Sequence, residues 1–144
     1  MTVRVASFMA DEFQSAPLGS LAAAKTILDE PIAQLAGGDT VPGTTASPAA
    51  IAVGSSVNGY VNTLADHDWF AVQLTAGQQY TFTLVRNDGV VDPLLRLRDS
   101  AGTQLAENDD GNGNQGSRIA FAAASTGTFY LDAGAYSDAS SGGY

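Results

Sequence analysis

Five stretches of this chain alternate apolar and polar residues with a period of two, and that alternation limits the fold more than any other feature. "DWFAVQL" sets Phe70, Val72 and Leu74 on one face against Trp69, Ala71 and Gln73 on the other. "QQYTFTLVR" sets Tyr80, Phe82 and Leu84 against Gln79, Thr81, Thr83 and Val85. "PLLRLRD" opposes Leu95 and Leu97 to Arg96 and Arg98, "SRIAFAAA" aligns Ile119, Phe121 and Ala123, and "GTFYLDAG" aligns Phe129, Leu131 and Ala133. Successive side chains of a strand point to opposite faces, so each run predicts a strand with one buried face, and antiparallel sheets. Turn-forming stretches separate the runs: "TAGQ", "NDGVVDP", "DSAGT" and "STGT". The expected fold class is all-β, an antiparallel β-sandwich.

The rest of the chain differs in character. With 144 residues there is room for one ordinary domain. Residues 1–36 are rich in Ala and Leu, and Ser20 could cap a short helix ending near Pro31, so an N-terminal helical or irregular leader is expected. Residues 37–50, "GGDTVPGTTASPAA", read as a linker. Residues 51–144 form the domain, and its closing "SDASSGGY" reads as a turn with Tyr144 opening a further strand, so the domain is expected to lack part or all of its last strand. An open sheet edge there predicts self-association.

Formal charge is −9, from 15 acidic and 6 basic residues. That balance argues against nucleic acid and anionic membranes as partners, and it suits cation binding. The absence of cysteine removes disulfides, thiolate metal sites and cysteine nucleophiles. The first residues, "MTVRVASFMADEF", do not have the apolar core of a Sec-type signal peptide, and no stretch reaches the roughly 20 apolar residues of a membrane span.

Two acidic stretches carry candidate chemistry. "LAENDDGNGNQGSRIAF" holds Asn108, Asp109 and Asp110 followed by glycines. Calcium takes carboxylate, amide and carbonyl oxygens of this kind, but Gln115 and Phe121 stand where an EF-hand loop needs Gly and Glu. The alternative is a long turn, since Asn and Asp bond their own backbone and Gly supplies positive φ. In "ADHDWF", Asp66 and Asp68 lie two apart at a strand entrance, and two carboxylates on one face call for a cation or for donors. A solvated acidic turn is the other reading. His67, between them, is the only histidine. Zinc needs three or four ligands, and neither His-Glu-x-x-His nor Gly-x-Ser-x-Gly is present, so no catalytic residue is assigned. Tyr60, Tyr130 and Tyr136 are candidates for an outward row, Arg96 and Arg98 for a solvated face, and Asp92 for a side chain that bonds backbone amides at a strand-opening turn.

The series from "DHDWFAVQLTAGQQYTFTL" through "DPLLRLRDSAGTQLAENDDGNGNQGSRIAFAAASTGTFYLDAGAYSD" closely resembles the bacterial pre-peptidase C-terminal domain, over about residues 51–144. The resemblance implies a jelly-roll-like sandwich without catalytic activity, attached to a secreted protease or another exported protein and similar to collagenase collagen-binding domains. It implies an extracellular setting and roles in substrate anchoring, secretion or maturation. The partner it implies is a protein or peptide substrate of the parent protease, with a glycan as a further ligand class. It also implies calcium, with Asp39 as a linker ligand beside Asp66 and Asp68. A structural module assembling through its open edge and a carbohydrate-binding sandwich are the alternative functions.

Overall fold

A computed structural model describes residues 3–7, 40–47, 49–86, 92–113 and 116–144, the first of these as backbone only. Among the described residues ten strands follow one another: β1 (Val3–Ser7), β2 (Ser56–Val57), β3 (Tyr60–Val61), β4 (Asp68–Leu74), β5 (Gln79–Leu84), β6 (Pro93–Arg98), β7 (Gln104–Asn108), β8 (Ser117–Ala122), β9 (Gly127–Ala135) and β10 (Gly142–Gly143). One four-stranded antiparallel sheet has the order β2-β1-β5-β8, a second has β4-β9-β6-β7, and β10 pairs with β3. The five alternating runs are β4, β5, β6, β8 and β9, and the class is the expected all-β sandwich.

The core lies where the alternation put it. Tyr80, Phe82, Leu84 and Ile119 of the first sheet meet Phe70, Val72, Leu74, Leu95, Leu97 and Leu131 of the second in one buried cluster. Burial of a Phe or Leu side chain contributes on the order of 1.5–3 kcal/mol. Turn chemistry fixes the register between strands. Asp99 Oδ1 accepts from the N–H groups of Ala101 at 2.9 Å and Thr103 at 2.8 Å, closing the β6–β7 hairpin. Just beyond, the pairing shifts between Leu97 and Arg98, so Leu105 bulges out and is 45% exposed.

Two stretches sit differently from their sequence reading. Residues 3–7, read with the leader, form a strand between β2 and β5, whereas the helix expected between Ser20 and Pro31 falls outside the described residues. The segment read as linker is partly built in: Ala49 accepts from the Ala71 N–H and Ile51 donates to the Ala71 carbonyl, each at 2.9 Å, against the edge of β4. At the other end, Gly142 and Gly143 pair with β3 and the Tyr144 ring is fully buried in the core. No helix among the described residues is long and apolar enough to cross a membrane.

Candidate functional site

Outward positions of a two-layer sandwich normally face solvent, yet the outer face of β4-β9-β6-β7 carries a second buried layer. Pairing places Asp132 of β9 directly between Trp69 of β4 and Arg96 of β6, and Tyr130 between Ala71 and Arg98. Trp69, Tyr130 and Asp132 are all buried, Asp132 completely. Residues 43–47 form the roof. The Tyr130 hydroxyl donates to the Thr45 carbonyl at 2.9 Å, and Gly43 sits so near His67 that a Cβ there would lie 2.7 Å from the His67 carbonyl.

A buried carboxylate is costly unless paired and hydrogen-bonded. Asp132 is both. Arg98 donates to its Oδ2 from Nε at 2.8 Å, with the Nη2 contact at 2.7 Å, and also donates from Nη1 to the Gly102 carbonyl at 3.1 Å. The guanidinium lies 4.6 Å from the centroid of the Trp69 ring, a cation–π stack that holds the fork toward Asp132. His67 Nδ1 is 2.8 Å from Asp132 Oδ1, and His67 Nε2 is 3.1 Å from Asp138 Oδ1. The imidazolium can donate to both carboxylates at once. The hydrogen bond to Asp132 holds the His67 pKa above its ordinary value, against burial and Arg96, with the negative charges of Asp132 and Asp138 adding to the effect. Arg96 Nη1 stands 3.3 Å from His67 Nδ1, and Arg96 Nε donates to Glu107 at 3.3 Å.

Asp138 and Ser137 reach this cluster from a 3₁₀ turn, Tyr136–Asp138, with φ of 53° and 57°. Left-handed backbone at non-glycine residues is a cost that surrounding contacts must hold in place. Beside the turn lies a depression of about 440 Å³ lined by Leu94, Arg96, Glu107, Asn108, Asp109, Tyr136 and Ser137. The chemistry available is electrostatic: a carboxylate held by an arginine and a histidine, with an exposed tyrosine at the rim. No contact between His67 and a serine or threonine hydroxyl appears among the described residues.

The sequence-derived candidates are dispersed. Asp66 Oδ2 accepts from the Asn62 N–H at 2.6 Å across a turn that passes through Ala65 at φ 63°. Asp68, 2% exposed, instead accepts from the buried Tyr144 hydroxyl. Each carboxylate therefore has a protein donor. Asn108 closes its own turn, since Oδ1 accepts from Gly111 at 2.7 Å and from Arg118 at 2.8 Å. Asp39 lies outside the described residues. Among the described residues no three His, Asp or Glu side chains converge as a metal cage.

Three readings change. Tyr130 is buried under the roof, so the outward tyrosines are Tyr60 and Tyr136. Arg96 and Arg98 serve a buried acid rather than a solvated face. Among the described residues the Asp92 Oδ1 is enclosed without a hydrogen-bond partner, while the Asp92 carbonyl accepts from the Tyr136 N–H at 2.8 Å. Desolvation, then the nearby Asp110 and Asp109 carboxylates, raise the Asp92 pKa against the opposing pull of Arg86.

Asp132 escaped the sequence reading because an outward aspartate in an alternating strand looks solvated. The available signal was Gly134, two positions on. A Cβ there would meet His67 Nδ1 at 2.6 Å, so glycine makes room for the ring.

The model of the bacterial pre-peptidase C-terminal domain matches residues 66–135, from the turn before β4 to the end of β9. No curated protein gives a significant match to the chain, and no solved structure does. The matched segment contains His67, Arg96, Arg98 and Asp132, while Asp138 and the roof at residues 43–47 lie outside it. Over residues 66–135, just under half of the chain, this sequence is similar to the bacterial pre-peptidase C-terminal domain.

Proposed function

We propose that this domain is a non-catalytic accessory module of a secreted protease or another exported protein, and that it holds a protein substrate during anchoring or maturation. The observation that carries the reading is the state of its only histidine. His67 is held between two carboxylates, and a general base needs one ring nitrogen directed at a nucleophile. The family match over residues 66–135 supports the same class.

The proposed contact surface is the depression beside β6 and the 3₁₀ turn. Tyr136 is 51% exposed at its rim, Leu94 and Arg96 line it, and Glu107 and Asp109 add acceptors. An exposed aromatic beside convergent polar groups suits an extended peptide, whose backbone offers both donors and acceptors.

Calcium is the second part of the proposal, assigned to the β7–β8 turn. Its support is the adjacent pair of carboxylates on that turn, whose charges add to the desolvation that raises the Asp92 pKa. Asp109 and Asp110 would supply carboxylate oxygens, with backbone carbonyls and water completing the shell of oxygen ligands that calcium takes. Asn108 stays with its turn, and Asp66 and Asp68 stay with Asn62 and Tyr144.

Retention of denatured collagen by the immobilised chain tests the contact surface. Wild type is expected to retain it, and Tyr136→Ala to lose most of that retention with unfolding unchanged. Equal retention by the two chains would remove the depression as the contact surface.

A further inference from the structure

The β2–β3 stretch is lined on one side by two strands that belong to opposite ends of the chain. Gly142 and Gly143 pair with Val61 and Tyr60. Tyr144 and Gly59 then exchange both backbone hydrogen bonds, each 3.0 Å. Val3 and Arg4 pair with Val57 and Ser56. β10 and β1 thus run in one direction along the same neighbour, and the place opposite Asn58 is the only register position between them. They are two pieces of a single strand line with a break in it.

Past the break, β1 leaves β2 behind and pairs over its full length with β5, from Val3↔Leu84 to Ser7↔Tyr80. It is an interior strand of the sheet, and without it both β2 and β5 would expose unpaired edges. Between Ser7 and Ser56 lies the whole of residues 8–55. The far end of that connection is anchored elsewhere, since residues 43–47 lie on the outer face of the other sheet. β1 therefore enters its slot from a segment remote in sequence.

We propose that the slot between β2 and β5 is a strand-exchange site, and that its second occupant is β1 of another copy of this chain. Exchange repeats the same backbone pairing, so the two arrangements differ mainly in chain connectivity. Closing a connection of this length costs little more than closing a short one, and it gives the tethered strand an effective concentration on the order of millimolar. The exchanged form should accordingly be minor at micromolar protein and substantial when chains refold together near millimolar. This inference goes beyond the accessory function and does not depend on it.

The test uses the cysteine-free background, in which every disulfide is an introduced one. Ala6 and Thr81 are direct partners across β1 and β5. Partners in an antiparallel pair have Cα atoms about 4.5–5.5 Å apart, within disulfide reach. Ala6→Cys and Thr81→Cys chains of different mass are refolded together and oxidised, with Ala6→Cys plus Thr83→Cys as the off-register control. A doubly substituted chain, dilute, reports whether β1 docks in this register at all, and Trp69 fluorescence reports folding. Expected are an intrachain bond in the double variant and a mixed disulfide dimer that rises with refolding concentration. The off-register pair should give at least tenfold less dimer. A mixed dimer no more abundant than the control would overturn exchange, and absence of the intrachain bond in a folded double variant would overturn the slot itself.

Discussion

Asp132 is the residue on which the outer layer depends. It is fully buried, and Arg98 and His67 meet it at 2.7–2.8 Å. Removing one partner of a buried pair leaves the other charge uncompensated, at a typical cost of about 3–5 kcal/mol. Asp132→Ala should therefore lower urea stability by about 3 kcal/mol, the lower figure because Arg98 keeps some access to water and its bond to Gly102. The double variant Asp132→Ala with Arg98→Met should recover part of that loss. His67 makes a pH-dependent contribution of defined sign. Its pKa is raised in the folded chain, so its pairing with Asp132 and Asp138 contributes fully below the unfolded histidine value near 6.5. The contribution is lost as pH rises through the higher folded value. Wild type should therefore lose stability over that interval relative to His67→Gln, which carries no titrating ring, as read by urea midpoints across pH 5.5–8.5. Parallel midpoint curves for the two chains would contradict this.

At the scale of elements, the sequence was legible where one strand's pattern suffices. Phe70, Val72 and Leu74, or Tyr80, Phe82 and Leu84, declare their buried face by spacing alone, because the pleat has a period of two. β1 was not legible. Its five residues form a strand by pairing with partners more than 50 positions away, and no local periodicity encodes so distant a partner. The acidic stretch was legible as a turn with ordered chemistry, and the division of labour inside it was not. Asn108 holds Gly111 and Arg118, while Asp109 and Asp110 act on Asp92 across from β6. That division gives a test of the calcium assignment. An ion that binds only the folded form stabilises it by about 2.7 kcal/mol at a hundredfold excess over its Kd. Calcium should raise the melting temperature of wild type and of Asp66→Asn by several degrees, and not that of Asp109→Asn. A shift retained in Asp109→Asn and lost in Asp66→Asn would move the ion to the entrance of β4.

For the whole molecule, the order of short motifs from Asp66 to Ala135 carries the match to the pre-peptidase C-terminal domain, and the three-dimensional arrangement explains several of them. The tryptophan after "DHD" stacks on Arg98, the arginines after Pro93 reach Asp132, and the aspartate of "YLDAG" is the acid they share. Those residues lie on different strands, so their meeting depends on β4, β9 and β6 being neighbours, which the sequence does not state. Set side by side, they form a buried electrostatic clamp, with the histidine held inside it. The most direct measurement is therefore of catalysis itself: new amino termini released from casein by the purified chain, with and without calcium, for wild type and His67→Ala. The account predicts no release above the protein-free control for either chain. Release by wild type that disappears in a folded His67→Ala would contradict it and make the His67–Asp132 pair part of an active site.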